Sequence, residues 1–214
     1  MKITKFGHCC LLVEEKGVRV LTDPGTYTTA QNDVKDIDVV LITHEHLYHF
    51  HIESLKAVLG NNPNAVIITN ASVDKLMKEA GIRGAQIIED GQSTEVKGIK
   101  ISGHGTAHAE IFREWPIVQN TGYSIGSRLF YPGDALTNPK VPVDVLAWPS
   151  AGPWLKISEA LDYALDLMPK ILFPVHDGML NENGGGLLKR LGTGIIEKHG
   201  IKFVVLEIGE EMEL

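Results

Sequence analysis

Four histidines lie within eight residues of this chain, in the segment Thr43-His44-Glu45-His46-Leu47-Tyr48-His49-Phe50-His51. The segment directly follows residues 39–42, an apolar run that predicts a buried strand, so the histidines crowd a loop at a strand end. Neutral imidazole is the commonest metal ligand among side chains. His44 and His46 can approach one ion together if the loop is extended. The segment therefore predicts a metal site and the chemistry that a metal supports.

Other polar side chains also follow predicted strands. Asp134 comes after residues 129–133, His176 after residues 171–175, and His104 and His108 after residues 100–102. Loops at strand ends are where α/β folds build their sites. Imidazoles combined with a few carboxylates suit zinc, iron or manganese.

The whole chain has the composition of an ordinary globular protein. It has 214 residues, of which 43% are hydrophobic, and 27 acidic against 20 basic residues give a net charge of -7. This charge argues against a broad nucleic-acid-binding face. No apolar run approaches the ~20 residues that span a bilayer, and the N-terminus lacks the apolar core of a signal peptide. Cys9 and Cys10 are adjacent, which makes a disulfide between them geometrically poor, so we expect a reducing, cytoplasmic setting without membrane attachment.

Short β-type runs alternate with helical patterns along the chain. Strands are predicted at residues 3–6, 10–14, 18–22, 39–42, 66–69, 86–88, 93–96, 100–102, 123–125, 128–131, 143–147, 171–175 and 201–206. Helices are predicted at residues 52–59, 72–80, 158–167 and 187–191, with a flexible loop at 181–186 and a solvated acidic face at 207–213. This order favours an α/β fold with two sheets flanked by helices. Without a repeat or a long linker, residues 1–214 are expected to form a single domain.

Five motifs in order carry a family resemblance. They are Thr-Asp-Pro, Thr-His-Glu-His-x-x-His, Gly-x-x-His-Ala, Pro-Gly-Asp-Ala and Pro-Val-His-Asp-Gly. Together they resemble the metallo-β-lactamase superfamily, and in particular its small single-domain bacterial and archaeal hydrolases near the ascorbate-6-phosphate lactonase-like branch. The resemblance runs from Gly7-His8 to the C-terminal strand. It implies a four-layer αββα sandwich, with two mixed sheets between helices and the metal site at one edge of the sheets.

The resemblance also implies a role for each candidate ligand. His44, His46 and His108 would hold a first metal ion. His49 and His176 would hold a second ion, with Asp134 bridging the two. Asp23 would support the ligand loop from behind, and His8 would lie nearby, because such partners orient the imidazoles that bind a metal.

Tyr48 departs from the family pattern. The family reads His-x-His-x-Asp-His, and this chain has Tyr48 where the Asp that ligates the second metal is expected. Three outcomes follow. The second site is weak or empty, which we favour; or Tyr48 ligates as a phenolate, which suits a ferric ion; or Tyr48 swings away and His51 or water takes its place. His51 itself is expected to face away at the start of the helix.

Several residues have competing interpretations. His104 rivals His108 as the ligand from their shared loop, whereas His199 fits a solvated helix end. Cys9 and Cys10 fit small packing residues better than a thiol site. Trp115, Trp148 and Trp154 are either core residues or part of a substrate pocket. Trp148 and Trp154 flank a loop that follows a predicted strand, so one of these two is expected near the site.

The leading functional hypothesis is a metal-dependent hydrolase. A bound metal lowers the pKa of its water to about 7, and Asp134, His49 and Tyr48 are the predicted catalytic residues. Candidate substrates are small molecules: lactones, esters, thioesters or phosphodiesters. Zinc is expected, as one or two ions, with manganese or iron as alternatives, and a homo-oligomer is left open. The alternative functions are a non-catalytic or altered metal-binding or ligand-binding protein, suggested by Tyr48, and an iron-dependent redox protein.

Overall fold

The first of two sheets contains the N-terminal strands. In a computed structural model that describes residues 1–214, its seven strands are ordered β14-β1-β2-β3-β4-β5-β6. Strands β1 to β3 and β14 are antiparallel neighbours, and β3 to β6 run parallel. The strands are β1 (Lys2–Gly7), β2 (Cys10–Glu15), β3 (Val18–Thr22), β4 (Val39–Leu41), β5 (Val66–Thr69), β6 (Gln86–Ile87) and β14 (Glu211–Glu213).

The second sheet also has seven strands, in the order β13-β12-β11-β10-β9-β8-β7. Its strands β7 to β10 are antiparallel, and β10 to β13 run parallel. The strands are β7 (Ser93–Val96), β8 (Ile99–His104), β9 (Gly122–Ile125), β10 (Leu129–Tyr131), β11 (Val145–Pro149), β12 (Ile171–Val175) and β13 (Lys202–Phe203).

Three apolar clusters hold four layers together. The largest lies between the sheets and joins side chains such as Leu11 and Val20 of the first sheet to Ile101 and Val145 of the second. A second cluster packs helices α1 (Ile52–Asn61) and α2 (Ala71–Glu79) on the outside of the first sheet. A third packs α3 (Ile157–Leu167) and α4 (Glu182–Leu191) on the outside of the second. The αββα sandwich predicted from the sequence is therefore confirmed.

The parallel strands end at one edge of the sandwich, and the candidate ligands follow them there. Asp23 comes after β3, the histidine segment after β4, Asp134 after β10 and His176 after β12. His176 and the β1–β2 turn meet across the sheets, because the His176 backbone N–H donates to the carbonyl of His8 at 3.2 Å. No helix has both the length and the apolar character needed to cross a membrane.

Three local predictions were wrong. Residues 181–186 are not a flexible loop: Asn181 caps α4 by accepting from the backbone N–H of Gly184, and the helix starts at Glu182 in spite of three consecutive glycines. The acidic C-terminal stretch is not only a solvated face, because Met212 is buried and Glu211–Glu213 pairs with β1. The strand predicted at 201–206 is reduced to Lys202–Phe203.

Candidate metal centre

Two groups of ligand-type side chains meet at the sheet edge and share Asp134. The first contains His44, His46, His108 and Asp134, and the second contains His49, Asp134 and His176. Within each group the ligand atoms all lie within 4.8 Å of one another. The structure therefore brings together all six metal-ligand candidates predicted from the sequence, in the two sets that the family resemblance implied. Their roles as ligands stay predictions.

The first group has the spacing of a metal site. Nε2 of His44 lies 3.1 Å from Nδ1 of His46, and Nε2 of His108 lies 3.3 Å from Oδ2 of Asp134. Two ligands that each lie about 2.1 Å from a tetrahedral ion are separated by roughly 3.4 Å. His44, His108 and Asp134 are buried, whereas His46 is partly exposed.

The second group contains buried polar atoms without a hydrogen-bond partner. Oδ1 of Asp134 lies 3.1 Å from Nε2 of His49, and Oδ2 lies 2.8 Å from Nε2 of His176, but Oδ1 and both nitrogens form no hydrogen bond. Buried polar atoms are costly when unpaired. Atoms that converge in this way without bonding one another fit a shared cation, and the donor set of imidazoles and a carboxylate suits zinc, manganese or iron.

Hydrogen bonds on the far side of the rings orient three of the histidines. Nδ1 of His49 faces Asp23 Oδ2 at 2.6 Å, Nδ1 of His108 donates to the carbonyl of Ala109 at 2.5 Å, and Nδ1 of His44 lies 3.0 Å from the Thr43 hydroxyl. Such partners hold the proton on the outer nitrogen and leave Nε2 free for a metal. The contact between Asp23 and Nδ1 of His49 is the physical basis of the supporting role predicted for Asp23.

The electrostatics of the first group favour neutral imidazoles. Burial, reinforced by the neighbouring imidazoles, lowers the pKa of His44 well below its usual range. Burial likewise lowers the pKa of His46 to about 4. Because a metal binds only the unprotonated nitrogen, these shifts reduce the competition between protons and the metal near neutral pH.

The electrostatics of the second group favour an ionised carboxylate. Burial alone would lower the pKa of His49, but the carboxylate of Asp134, followed by Cys9 and Asp23, raises it well above its usual range. Burial alone would raise the pKa of Asp134, but His49 and then His176 hold it well below its usual range. The carboxylate is therefore ionised and suited to bind a cation.

Tyr48 lies beside the cluster. Its hydroxyl is 3.3 Å from Nδ1 of His46, and its ring makes an edge contact with His176 at a centroid distance of 5.4 Å. Burial raises the pKa of Tyr48 above its usual value, which keeps the phenol protonated at neutral pH. Where the family pattern has a carboxylate, this chain therefore has a phenol whose hydroxyl contacts the first group, and the second group has three candidate ligands.

Unusual backbone conformations cluster at this edge. His8, Asp23 and His176 all have positive φ angles, of 51°, 39° and 60°. Such angles are uncommon outside glycine, and where a folded structure imposes them they tend to occur at functional sites. At Gly133, with a φ of 65°, a Cβ would overlap the side chains of Asn120 and Thr43. The turn before Asp134 therefore requires glycine.

Other predicted residues fall outside the cluster. His104 is not past a strand but is the last residue of β8, where its Nε2 lies 3.0 Å from the hydroxyl of Ser124, so His108 is the member of that pair at the centre. His51 caps α1 through Ser54, as expected for a residue that faces away. His199 is an exposed helix end, and Cys9 and Cys10 are buried free thiols.

The three tryptophans have three different environments. Trp154 donates its indole N–H to Asp134 Oδ2 at 3.1 Å, so the prediction that one tryptophan lies near the site is confirmed. Trp148 belongs to the core and bonds the carbonyl of Ala160, whereas Trp115 is exposed. The sequence reasoning missed Tyr131, whose hydroxyl donates to Asp23. Its position as the last residue of β10, three residues before Asp134, was the available signal.

The chain belongs to the beta-lactamase superfamily. A sequence model of the beta-lactamase superfamily domain matches residues 2–176, which include every candidate ligand. A protein of Mycobacterium tuberculosis is 34% identical over 87% of this chain and 89% of its own length. A UPF0173 metal-dependent hydrolase of Nanoarchaeum equitans is 26% identical over the whole of both chains.

Solved structures share the fold. A metallo hydrolase from Ignicoccus hospitalis superposes with a TM-score of 0.77 at 19% identity, covering 100% of this chain and 98% of its own. A diiron β-hydroxylase from Streptomyces venezuelae superposes with a TM-score of 0.76 at 16% identity, over 100% of this chain and 54% of its own. The predicted fold and superfamily are confirmed.

Proposed function

We propose that this protein hydrolyses a lactone, ester or phosphodiester of a small molecule with water activated by a bound metal. The class of the protein, a metal-dependent hydrolase, follows from its family and from the names of its relatives. The substrate group, zinc as the metal and a cytoplasmic setting are our proposals. The observation that carries the proposal is the convergence of His49, His176 and Asp134 atoms that are buried, close together and not hydrogen-bonded to one another.

The protein contributes position and charge to this reaction. When bound, a metal ion lowers the pKa of its water and polarises the oxygen of the scissile group. Trp154 donates a hydrogen bond to Oδ2 of Asp134 and so fixes this carboxylate, which would help to orient the water. The Tyr48 hydroxyl, on the partly exposed side, is available to donate to a substrate oxygen. His49 is kept in place by Asp23.

The test combines metal content with hydrolysis. Metal analysis of the purified protein and assays with a lactone, a carboxylic ester and a phosphodiester are repeated with His44→Ala and Asp134→Ala. Both variants are expected to lose bound metal and at least about a hundredfold in kcat/KM, because each removes a ligand. His104→Ala is the matched control, since this histidine starts the same loop but bonds Ser124. Undiminished hydrolysis in both ligand variants would refute the proposal.

Tyr48 supports a second candidate, a protein that binds a metal or ligand without turnover. The second group has three ligands, and the Tyr48 hydroxyl contacts His46 of the first group instead. Efficient hydrolysis by the unmodified protein excludes this candidate.

The similarity to a diiron β-hydroxylase supports a third candidate, iron-dependent redox chemistry. Visible absorption and iron content of the isolated protein test it. A colourless protein loaded with zinc excludes it.

A further inference from the structure

His176 differs from the other buried histidines of the metal centre in how its ring is held. A contact at the outer nitrogen, Nδ1, orients the rings of His44, His49 and His108. Nδ1 of His176 has no hydrogen-bond partner. The nearest ring is that of His8, at a centroid distance of 4.2 Å. The direction of the His176 ring therefore depends on its own backbone and on packing.

The backbone of His176 has a conformation that its surroundings must hold. Its φ of 60° lies in the left-handed region, which residues other than glycine rarely adopt. Such a conformation persists only where neighbouring groups fix it. The carbonyl of His8 accepts from the His176 N–H at 3.2 Å, and Nδ1 of His8 accepts from the Gly178 N–H at 3.1 Å. The turn between β1 and β2 thus bonds the segment at His176 and just after it.

Lys5 of β1 fastens the same segment on both sides of His176. Its ammonium group donates to the carbonyl of Pro174 at 3.2 Å and pairs with Oδ2 of Asp177 at 2.5 Å. Pro174 precedes His176 by two residues, and Asp177 follows it directly. One side chain of the first sheet therefore spans the turn of the second sheet in which the positive φ occurs.

The burial of Lys5 shows that this contact is more than a surface ion pair. Lys5 is 3% exposed, and lysine is almost never buried unless it is paired. Because a buried ammonium group is costly to desolvate, its acceptors must be well placed. Lys2 lies on the same strand and pairs with Glu14 at 3.0 Å and Glu211 at 3.2 Å, but its side chain is 31% exposed. Lys2 is thus a paired lysine whose partners lie outside the metal centre.

We infer that Lys5 is a positioning residue for His176. By holding Pro174 and Asp177, its ammonium group keeps the His176 backbone in the conformation that places Nε2 of the ring 2.8 Å from Oδ2 of Asp134. The inference rests on the role as a metal ligand that the proposed function gives to His176. Lys5 acts through this backbone and takes no part in the reaction itself.

The experiment measures zinc affinity by competition with a chromogenic chelator. Lys5→Met keeps an apolar side chain and removes the ammonium group, and it is expected to weaken zinc binding by about tenfold or more, as loss of a group that orients a ligand does. The direction of the change is informative, because loss of a nearby positive charge would by itself strengthen the binding of a cation. Lys2→Met is the matched control and should leave the zinc affinity unchanged.

A double-mutant cycle with His176→Ala separates positioning from a general loss of structure. Because Lys5 acts through His176, Lys5→Met should have no further effect on zinc affinity in the His176→Ala background. Asp177→Asn is the second variant, for use if Lys5→Met does not fold. A direct effect of the Asp177 charge persists in the His176→Ala background, whereas an effect through His176 disappears there. Circular dichroism of the metal-free proteins verifies that each variant is folded.

Two outcomes would overturn the inference and leave the hydrolase function standing. The first is an unchanged zinc affinity in Lys5→Met, or in Asp177→Asn if Lys5→Met does not fold; a raised KM with unchanged zinc affinity would assign Lys5 to substrate binding instead. The second is a loss of zinc affinity that is equal with and without His176→Ala. Undiminished hydrolysis in both His44→Ala and Asp134→Ala contradicts the proposed function itself, and so differs from either outcome.

Discussion

Asp23 and His49 are joined by a contact of 2.6 Å between a buried carboxylate and Nδ1 of the imidazole, across 26 residues of sequence. The same carboxylate accepts from the backbone N–H and the hydroxyl of Thr43, each at 2.8 Å, and from the hydroxyl of Tyr131. One side chain therefore positions both ends of the histidine segment and links it to the second sheet. Because the proton stays on Nδ1, Nε2 of His49 faces Asp134 as a potential ligand.

Replacing Asp23 with asparagine is expected to weaken metal binding by about 10-fold to 100-fold, because the amide cannot accept all four of these hydrogen bonds. Competition with a chromogenic chelator measures the affinity. The control is Asp38→Asn, which removes a carboxylate near the surface, paired with Lys97. Equal metal affinity in the Asp23→Asn variant and the unmodified protein would show that the contact does not support a ligand.

Tyr48→Asp is expected to raise the metal content from about one ion per chain to about two, because it restores a carboxylate beside a group with only three ligands. Metal analysis after dialysis against zinc gives the ratio. Tyr48→Phe removes the hydroxyl without adding a carboxylate and should stay near one ion. Two ions already bound to the unmodified protein would contradict the expectation of a weak second site.

Gly25 is expected to tolerate no side chain. A Cβ there would overlap the backbone carbonyl of Tyr48, in the middle of the histidine segment. Gly25→Ala should lower the free energy of unfolding by roughly 1–3 kcal/mol, as overpacking does, and should also weaken metal binding. Gly60→Ala is the opposite case, since a Cβ at this position in α1 meets nothing within 4 Å and alanine should stabilise the helix by up to about 1 kcal/mol. Urea denaturation compares the two, and an equal effect of both would refute the steric explanation.

Asp38 is expected to make stability depend on acid pH. Burial opposes its ionisation, but the ammonium of Lys97 at 2.6 Å and the backbone N–H of Arg19 at 2.8 Å lower the pKa of Asp38 in the folded protein. A lowered native pKa contributes stability above the unfolded value of about 3.9, and the contribution disappears as the pH falls through the native pKa.

Asp38→Asn should therefore destabilise the protein at neutral pH and lose this effect in acid. Denaturation across the acid range measures the difference. Asp162→Asn, at an exposed position of α3, should show no such trend. A difference between Asp38→Asn and the unmodified protein that does not change with pH would contradict the pairing.

Local patterns were sufficient for most elements. Apolar runs such as residues 39–42 and 171–175 predicted buried strands, because a strand covered on both faces needs continuous apolar sequence. Ligand candidates such as His44 and Asp134 could be recognised because they directly follow such strands. The choice of His108 over His104 rested on the family motif, since both lie in one short segment and only the pairing of β8 with β9 shows which one leaves the sheet.

The errors arose where distant residues determine the local structure. Three glycines predict a loop at 184–186, but Asn181 caps the segment and Leu188 packs into the core, which is enough to make it helical. Glu211–Glu213 has the composition of a solvated tail, but the edge of β1 offers it backbone hydrogen bonds. Propensity is a weak guide where such long-range partners exist.

The sequence alone determined which residue types could hold a metal and which strands would carry them, because both depend on side-chain chemistry and short-range periodicity. Only the tertiary structure decided how those residues meet. Asp134 is shared by two groups of candidate ligands, Asp23 reaches His49, and the Tyr131 hydroxyl of the second sheet donates to Asp23. These relationships depend on the packing of two sheets face to face, which brings residues more than a hundred positions apart within hydrogen-bond distance.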